Sequence, residues 1–485
     1  MTELIAMPPA RQAGLAATLA VALLAGCAAG PNYQVPDTRS MTPAAFPTAD
    51  EALPGAAPLE RWWGALGDPV LAELVDRALA SNPDLAAAEA RVQQARAAAR
   101  VAGAAFYPAV RADARAGQDK LSLHSETLSL IPFKPATTQF SDYRIGFDAA
   151  WEIDLAGRTR REVEAAVARL DSTRESRNDA RLVVAAEVAD RYVEYRMTTV
   201  RLELARTQLA NLEESRRLIA LARAAGVASE AELAAAESER LAAAGAVPPI
   251  EATLQSTLFA LTALTGEPYE ALATRLAAPG AIPAAPSAAP VGLPSDLLRR
   301  RPDVRHAERE LAAATAEVGS AVAAQFPRLT LVGDFGWESV SAGSLVSQAS
   351  RYWSYGPQLT VPLFEGGRLR GQADAARAAR DAALATYRGT VLRAFADTES
   401  AIVRYAAERR RSEELTAAVA SRETSLALER RRYQAGDASR LDVLAAERLA
   451  NEAADQRAAS AGQLAEDYVA LGKALGGGWQ NIEHQ

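Results

Sequence analysis

The chain has 485 residues and a mild net charge of −7. A chain of this length can bury large cores and corresponds to roughly two to four domains. No basic stripe marks a nucleic-acid binder, so no nucleic-acid partner is expected. The three histidines lie far apart in sequence and show no metal-ligand spacing, so neither a metal site nor a cofactor is predicted.

The first feature in chain order is a short apolar run, residues 14–26, whose last residues form the tetrapeptide Leu24-Ala25-Gly26-Cys27 together with the cysteine that follows. Because this run is too short to span a bilayer as a helix, residues 1–26 are predicted to be a signal peptide. The tetrapeptide resembles the bacterial lipobox, whose cysteine becomes diacylated, so Cys27 is the predicted lipidation site. A free thiol after an ordinary cleavage site is the alternative. In such lipoproteins an Asp after the cysteine tends to cause retention at the inner membrane, so Ala28 favours the outer membrane.

The mature chain contains two copies of one structural unit of about 200 residues. Near the start of each copy, matching residues are 219 apart, namely Pro83 and Pro302, Asp84 and Asp303, and Pro108 and Pro327. Further along they are 210 apart, namely Gly157 and Gly367, Gly226 and Gly436, and Gly266 and Gly476. The difference between the two spacings predicts a nine-residue insertion in the first copy, in a loop at about residues 118–140.

This repeat divides the mature chain into five segments. They are a lipidated, extended leader (27–60), a first repeat (61–266), a Pro-rich linker (267–295), a second repeat (296–476) and a C-terminal tail (477–485). Each repeat contains a long helix without internal proline, from about Gly157 to Ala225 and from about Gly367 to Gln434. Apolar residues between Leu202 and Ile219 recur at a spacing of about 3.5 residues, which is typical of a coiled coil.

Four short stretches with a two-residue period lie between the helices, at about 108–117, 142–154, 328–338 and 353–363. Apolar and mostly polar side chains alternate along them, and runs of about ten such residues are typical of transmembrane β-strands. Half-buried strands of a soluble sheet are the alternative. Pro357 cannot donate to a β-ladder, but the alternation continues through it.

Four strands cannot close a membrane barrel, because open sheet edges in hydrocarbon leave unpaired backbone groups. Two copies of the chain would give a barrel of eight strands, and side chains fill the interior of a barrel of about that size. Three copies would give a barrel of twelve strands, which is wide enough to enclose a lumen. One face of the predicted strands carries charged residues, namely Arg111, Asp113, Asp148, Glu152, Asp154 and Asp334. Such a face suits water better than a packed core, so three chains are predicted.

Several motifs, in this order, carry a resemblance to a known family: Gly30-Pro31-Asn32-Tyr33, Trp62-Trp63, Asn82-Pro83-Asp84, Trp151-Glu152-Ile153-Asp154, Arg301-Pro302-Asp303, Gly366-Gly367-Arg368 and Leu471-Gly472-Lys473-Ala474-Leu475-Gly476-Gly477-Gly478-Trp479. The chain resembles the outer membrane factor family, the TolC-like exit ducts, in the lipoprotein branch associated with resistance–nodulation–division efflux pumps. The resemblance implies a mainly α fold with a transmembrane β-barrel. A homotrimer would form a 12-stranded β-barrel in the outer membrane and an α-helical barrel in the periplasm.

The resemblance also implies partners and a gate. The partners are outer membrane lipid, a periplasmic membrane fusion (adaptor) protein and an inner-membrane efflux transporter. In the family, helix turns at the far periplasmic end narrow the duct, and acidic residues just past a turn ring the aperture. These turns correspond here to Gly226 and Gly436, and Asp442 stands where the family often has an aperture carboxylate. Where many members have a second Asp this chain has Ala445, so Asp437, nearer the turn, is the second candidate. The alternative for Asp437 is a carboxylate that only complements the helix dipole.

The leading functional hypothesis is a passive outer membrane channel component of a tripartite efflux or secretion system, not an enzyme. A structural coiled-coil lipoprotein, which tethers the outer membrane, is the alternative. The strands discriminate between the two hypotheses, since a tether requires helices and an anchor but no alternating segments.

Overall fold

A computed structural model describes residues 28–37, 43, 45–48, 59–122, 138–287 and 294–480. The predicted signal peptide, Cys27 and the last five residues of the predicted tail lie outside these ranges, as do half of the predicted leader and most of the predicted insertion loop. The chain divides into two units. The first contains residues 1–35, 93–171 and 309–385, and the second contains residues 36–92, 172–308 and 386–485.

Most of the described chain is helical. After a 3-10 segment at Leu59–Leu66, the helices are α1 (Pro69–Ser81), α2 (Pro83–Gly103), α3 (Arg158–Ala224), α4 (Glu230–Thr265), α5 (Tyr269–Leu276), α6 (Pro294–Arg300), α7 (Pro302–Ala323), α8 (Arg368–Ala435) and α9 (Arg440–Ala474). The long helices α3 and α8 have 67 and 68 residues, so each extends on the order of 100 Å. Within the described ranges, no helix combines the length and the hydropathy needed to cross a bilayer.

The first unit contains an antiparallel sheet with the strand order β1-β2-β3-β4. The strands are β1 (Ala109–Lys120), β2 (Gln139–Ile153), β3 (Arg328–Ser339) and β4 (Arg351–Thr360). β4 ends three residues before the predicted boundary, because Thr360 pairs with Arg328, the first residue of β3. Pro357 lies within β4, an edge strand of this sheet, where a missing backbone donor is tolerated.

The register of the sheet separates apolar from charged side chains. Directly paired residues point to the same face of an antiparallel sheet. One row across the four strands is apolar, namely Ala112, Phe147, Phe335 and Trp353. The adjacent row is polar, namely Arg111, Asp148, Asp334 and Ser354, in which the Ser354 hydroxyl donates to the Asp334 carboxylate at 2.7 Å. The sheet therefore has one face suited to lipid and one suited to water, with two open edges at β1 and β4.

The second unit contains the main hydrophobic core. Trp62 and Trp63 are almost fully buried and pack edge to face, and Trp62 also contacts Tyr468 of α9. A Cβ atom at Gly472 would lie only 2.8 Å from the Trp62 ring, so this position requires glycine. The tryptophan pair and the glycine-rich end of α9, both noted in the sequence, therefore belong to one packed layer.

Two equivalent joints in the second unit connect the end of one helix to the start of another. At the first, the Asn82 side-chain amide donates to the carbonyl of Leu264, near the end of α4, at 3.0 Å, and its oxygen accepts from the N–H of Asp84 at the start of α2. At the second, the Arg301 guanidinium donates to the carbonyl of Ala474 at 3.2 Å and pairs with Asp303. One side chain thus satisfies free backbone or side-chain groups of both helices at each joint.

Candidate functional site: the two helix turns

The long helices end in turns of the same geometry. Gly226 and Gly436 have φ angles of +76° and +85°, a conformation that glycine adopts without strain. In the first turn, the N–H of Val227 donates to the carbonyl of Ala222 at 2.9 Å. In the second, the N–H of Asp437 donates to the carbonyl of Arg432 at the same distance. These bonds are typical of the Schellman motif, which ends a helix at a left-handed residue.

A capping box begins each return helix. The hydroxyl oxygen of Ser439 accepts from the N–H of Asp442 at 3.2 Å, and the N–H of Ser439 donates to the Asp442 carboxylate at 2.7 Å. Ser229 and Glu232 form the same pair of bonds at 3.2 and 2.6 Å. This role of Asp442 was not predicted from the sequence, although a Ser three residues before an acidic residue is the known signature of a capping box.

Both predicted aperture carboxylates lie at the second turn, and both are exposed. Hydrogen bonds from the backbone and hydroxyl of Ser439 hold the pKa of Asp442 below its usual range, so this carboxylate is ionised at neutral pH. Asp437 directly follows Gly436, and its backbone carbonyl accepts from Arg432 at 3.3 Å. The equivalent residue of the first turn is Val227, which is 82% exposed. The second turn therefore carries a carboxylate where the first presents an apolar side chain.

The charges around the two turns differ in sign. Residues 220–239 contain one basic and four acidic side chains, a net charge of −3. The equivalent residues 430–449 contain five basic and three acidic side chains, a net charge of +2. Arg430 and Arg440 both contact Glu447, at 2.9 and 3.5 Å. The candidate carboxylates Asp437 and Asp442 are therefore set among arginines, a feature that sequence spacing did not reveal.

A groove of about 540 Å³ lies beside the first turn, between α3, α4 and α9. Its floor is formed by apolar side chains that include Leu212, Ile219 and Leu444, and Val227 stands at its turn end. Charged side chains, Glu239 of α4 and Arg448 of α9 among them, also line it. The groove thus offers an elongated apolar surface with charges of both signs.

Cys27 lies outside the described residues, but the residues that follow it are seated on the first unit. The N–H of Ala29 donates to the carbonyl of Ala156 at 2.9 Å, and the buried Arg161 donates to the Asn32 side chain at 2.6 Å. A Cβ atom at Gly30 would lie 2.5 Å from the Cα of Gly319, so only glycine fits there. These contacts hold the Gly30-Pro31-Asn32-Tyr33 motif close to the residues that follow β2.

Comparison with known proteins identifies the family. The sequence profile described as "Outer membrane efflux protein" matches residues 74–267 and 293–477. The chain belongs to this family. It is 35% identical over 450 residues to the pyoverdine export outer membrane protein OpmQ of Pseudomonas putida, covering 92% of this chain and 94% of that protein. It is 33% identical to the outer membrane protein OprJ of Pseudomonas aeruginosa, covering 96% of each. The solved structure of the outer-membrane channel OprN shares 34% identity and superposes with a TM-score of 0.82, over 94% of this chain and all of that one.

These comparisons confirm the predicted family, the predicted fold class and the outer membrane location. They also confirm that the chain is an outer membrane channel component of an efflux system, and the four strands argue against the alternative of a simple coiled-coil tether. The family is one of channels.

Proposed function

We propose that this chain is the passive exit duct of a tripartite efflux pump and performs no catalysis. Three copies would carry small molecules across the periplasm and outer membrane, driven by an inner-membrane transporter through a periplasmic adaptor. The observation that carries the proposal is the match of both repeats to an efflux family. It is supported by the sheet of the chain, which has two open edges. Pairing β4 of one copy with β1 of the next would satisfy those edges in hydrocarbon, where each unpaired backbone group costs several kcal/mol.

The proposed aperture lies at the second helix turn, with Asp442 and Asp437 as its carboxylates. The capping box supports a fixed position for Asp442, because its backbone N–H and its carboxylate are both bonded to Ser439. Its second carboxylate oxygen remains available to cations in the aperture. Among the described residues, Asp437 is held only through its backbone, so its side chain is free to reorient. We therefore assign Asp442 the larger role.

The groove beside the first turn is the proposed docking surface for the adaptor. Its apolar floor would receive the apolar face of a partner helix, and its charged lining would fix the register. The cargo is proposed only as a class, small molecules. OpmQ takes part in pyoverdine export according to its name, and the lumen of a conduit need not bind what passes through it.

We also propose that Cys27 is the first residue of the mature chain and that it is triacylated, which would anchor the protein in the outer membrane. Mass spectrometry of the protein purified from outer membranes should detect the acylated residue, and Cys27→Ser should lose it. An unmodified Cys27 in the mature protein would contradict this assignment.

The duct itself is tested by measuring mass and conductance on the same preparation. We expect the detergent-solubilised protein to be a trimer and to form ion-conducting pores in planar bilayers. A stable preparation that never conducts under any voltage or salt condition, or that is monomeric, would contradict the duct and revive the tether.

A further inference from the structure

A cavity of about 500 Å³ lies in the second unit where α9 ends and α7 begins, flanked by α3 and α8. Its charged lining consists of three carboxylates and three cationic groups, namely Asp179, Asp303, Asp397, Arg301, Arg404 and Lys473. The cavity is distinct from the helix turns and from the groove beside the first turn, which share none of these residues.

Arg301 is fully engaged and contacts two of the carboxylates. Its guanidinium contacts the Asp303 carboxylate through two nitrogens, at 3.0 and 2.8 Å, and reaches Asp397 at 3.4 Å. It also donates to the carbonyl of Ala474. Its side chain is only 12% exposed, so these bonds are shielded from bulk water. Arg301 therefore has a structural role in the cavity, and its guanidinium has no free donor for a solute.

The other two cations are uncommitted. In the part of the chain that the structure describes, the side chains of Lys473 and Arg404 make no hydrogen bond or ion pair, and both are exposed. Asp179 likewise accepts no hydrogen bond from the described residues. Burial, and then the charge of Asp303, raise the pKa of Asp179. Near this carboxyl a bound anion would favour the protonated form further, and the acid would then donate a hydrogen bond.

The cavity lies on the side of its helices that faces away from the core. On α3, Val188 and Tyr192 are buried, and Glu187, Asp190 and Glu194 lie on the opposite face at about 100° per residue. On α9, Tyr468 and Leu471 are buried, and Glu466 and Lys473 lie opposite them. In the proposed duct, a charged helix face opposite the packed core is the face that borders water in the lumen.

We propose that this cavity binds the carboxylate of a small anionic solute inside the duct, with Lys473 and Arg404 as its two direct partners. Its position in the lumen rests on the proposed function. The cavity is specific to the second repeat, because the first repeat has Ala263 in place of Lys473 and Glu194 in place of Arg404, 210 residues earlier. A trimer would therefore carry three such sites, and the equivalent positions of its first repeats would carry no cation.

Citrate is a suitable probe, since it is small and carries three carboxylates. We expect isothermal titration calorimetry to detect citrate binding to the detergent-solubilised trimer. The double variant Lys473→Met, Arg404→Gln should weaken the affinity at least tenfold. Both side chains lack hydrogen bonds in the described structure, so gel filtration and thermal unfolding of this variant should match the native protein.

Glu194→Gln is the matched control, because it occupies the position equivalent to Arg404 and should change citrate affinity less than twofold. Absence of citrate binding to the native trimer, or equal binding by the double variant, would overturn the site. The proposed function is judged separately by the conductance in potassium chloride without citrate, which the double variant should retain. A protein that conducts but does not bind citrate would refute this inference and leave the duct intact.

Discussion

The two repeats share the backbone devices that shape the chain and differ in the charges that those devices carry. Both turns have a left-handed glycine and a capping box with nearly equal distances. Yet the net charge around the first turn is −3, whereas around the second it is +2. On the long helices, Glu187, Asp190 and Glu194 of the first repeat correspond to Asp397, Ser400 and Arg404 of the second. The comparison indicates that the backbone shape of the turns is common to both copies, whereas the surface charge differs between them.

The helix joints provide the largest expected difference between the repeats. Arg301→Ala would remove the ion pair of Asp303 and one of the two side-chain hydrogen bonds to the carbonyl of Ala474 in a mostly buried site, a loss of about 3 kcal/mol. Asn82→Ala would remove an N-cap and one bond to α4, a loss of about 1–2 kcal/mol. The thermal unfolding midpoint of the trimer should therefore fall further for Arg301→Ala. If the unfolding midpoint falls no further for Arg301→Ala than for Asn82→Ala, the predicted difference between the two joints is wrong.

The glycines of the turns should behave alike. No atom of the described structure lies within 4 Å of a Cβ placed on Gly226 or Gly436, so alanine there costs only the backbone strain of a positive φ. We expect Gly226→Ala and Gly436→Ala each to cost about 1–2 kcal/mol, measured as similar decreases of the unfolding midpoint. Gly472→Ala is the contrasting control, because its Cβ would meet Trp62 at 2.8 Å and should cost more. A large difference between the two turn variants would show that they are not equivalent.

The fold could be predicted from the sequence because the patterns that indicate it are local and occur in both repeats. The proline-free helices, the glycines that end them and the two-residue alternation of the strands are each set by neighbouring residues. The site was less predictable. Asp442 was selected by resemblance, but its capping bonds follow from a Ser-x-x-Asp pattern that the sequence analysis overlooked. The cavity around Arg301 could not be read from sequence, because its lining comes from four helices far apart in the chain.

An effect on the pH dependence of stability is expected from the acidic face of the first repeat. Burial, and then the charge of Glu466, raise the pKa of Asp190 to about 7, and one of its carboxylate oxygens is buried without a hydrogen bond from the described residues. Since the unfolded pKa is near 3.9, stability should decrease as pH rises from about 4 to about 7 and then level off. Asp190→Asn should therefore raise the unfolding midpoint at pH 8, and the gain should vanish near pH 4.

Ser400→Ala, at the equivalent position of the second repeat, is the control for that pH dependence. It should leave the pH profile of the unfolding midpoint unchanged. A profile for Asp190→Asn that runs parallel to the native one would contradict the assigned titration.

The most direct test of the account is the ion selectivity of the pore, measured as the reversal potential across a potassium chloride gradient in planar bilayers. We expect the native duct to prefer cations at neutral pH, where the capping bonds, which lower the pKa of Asp442, keep this carboxylate ionised. Asp442→Asn should reduce the preference at least twofold and Asp437→Asn by less. Glu232→Gln, which alters the equivalent capping residue of the first turn, should have little effect. If Asp442→Asn leaves the reversal potential unchanged, or if Glu232→Gln changes it equally, the aperture is not formed by the second turn.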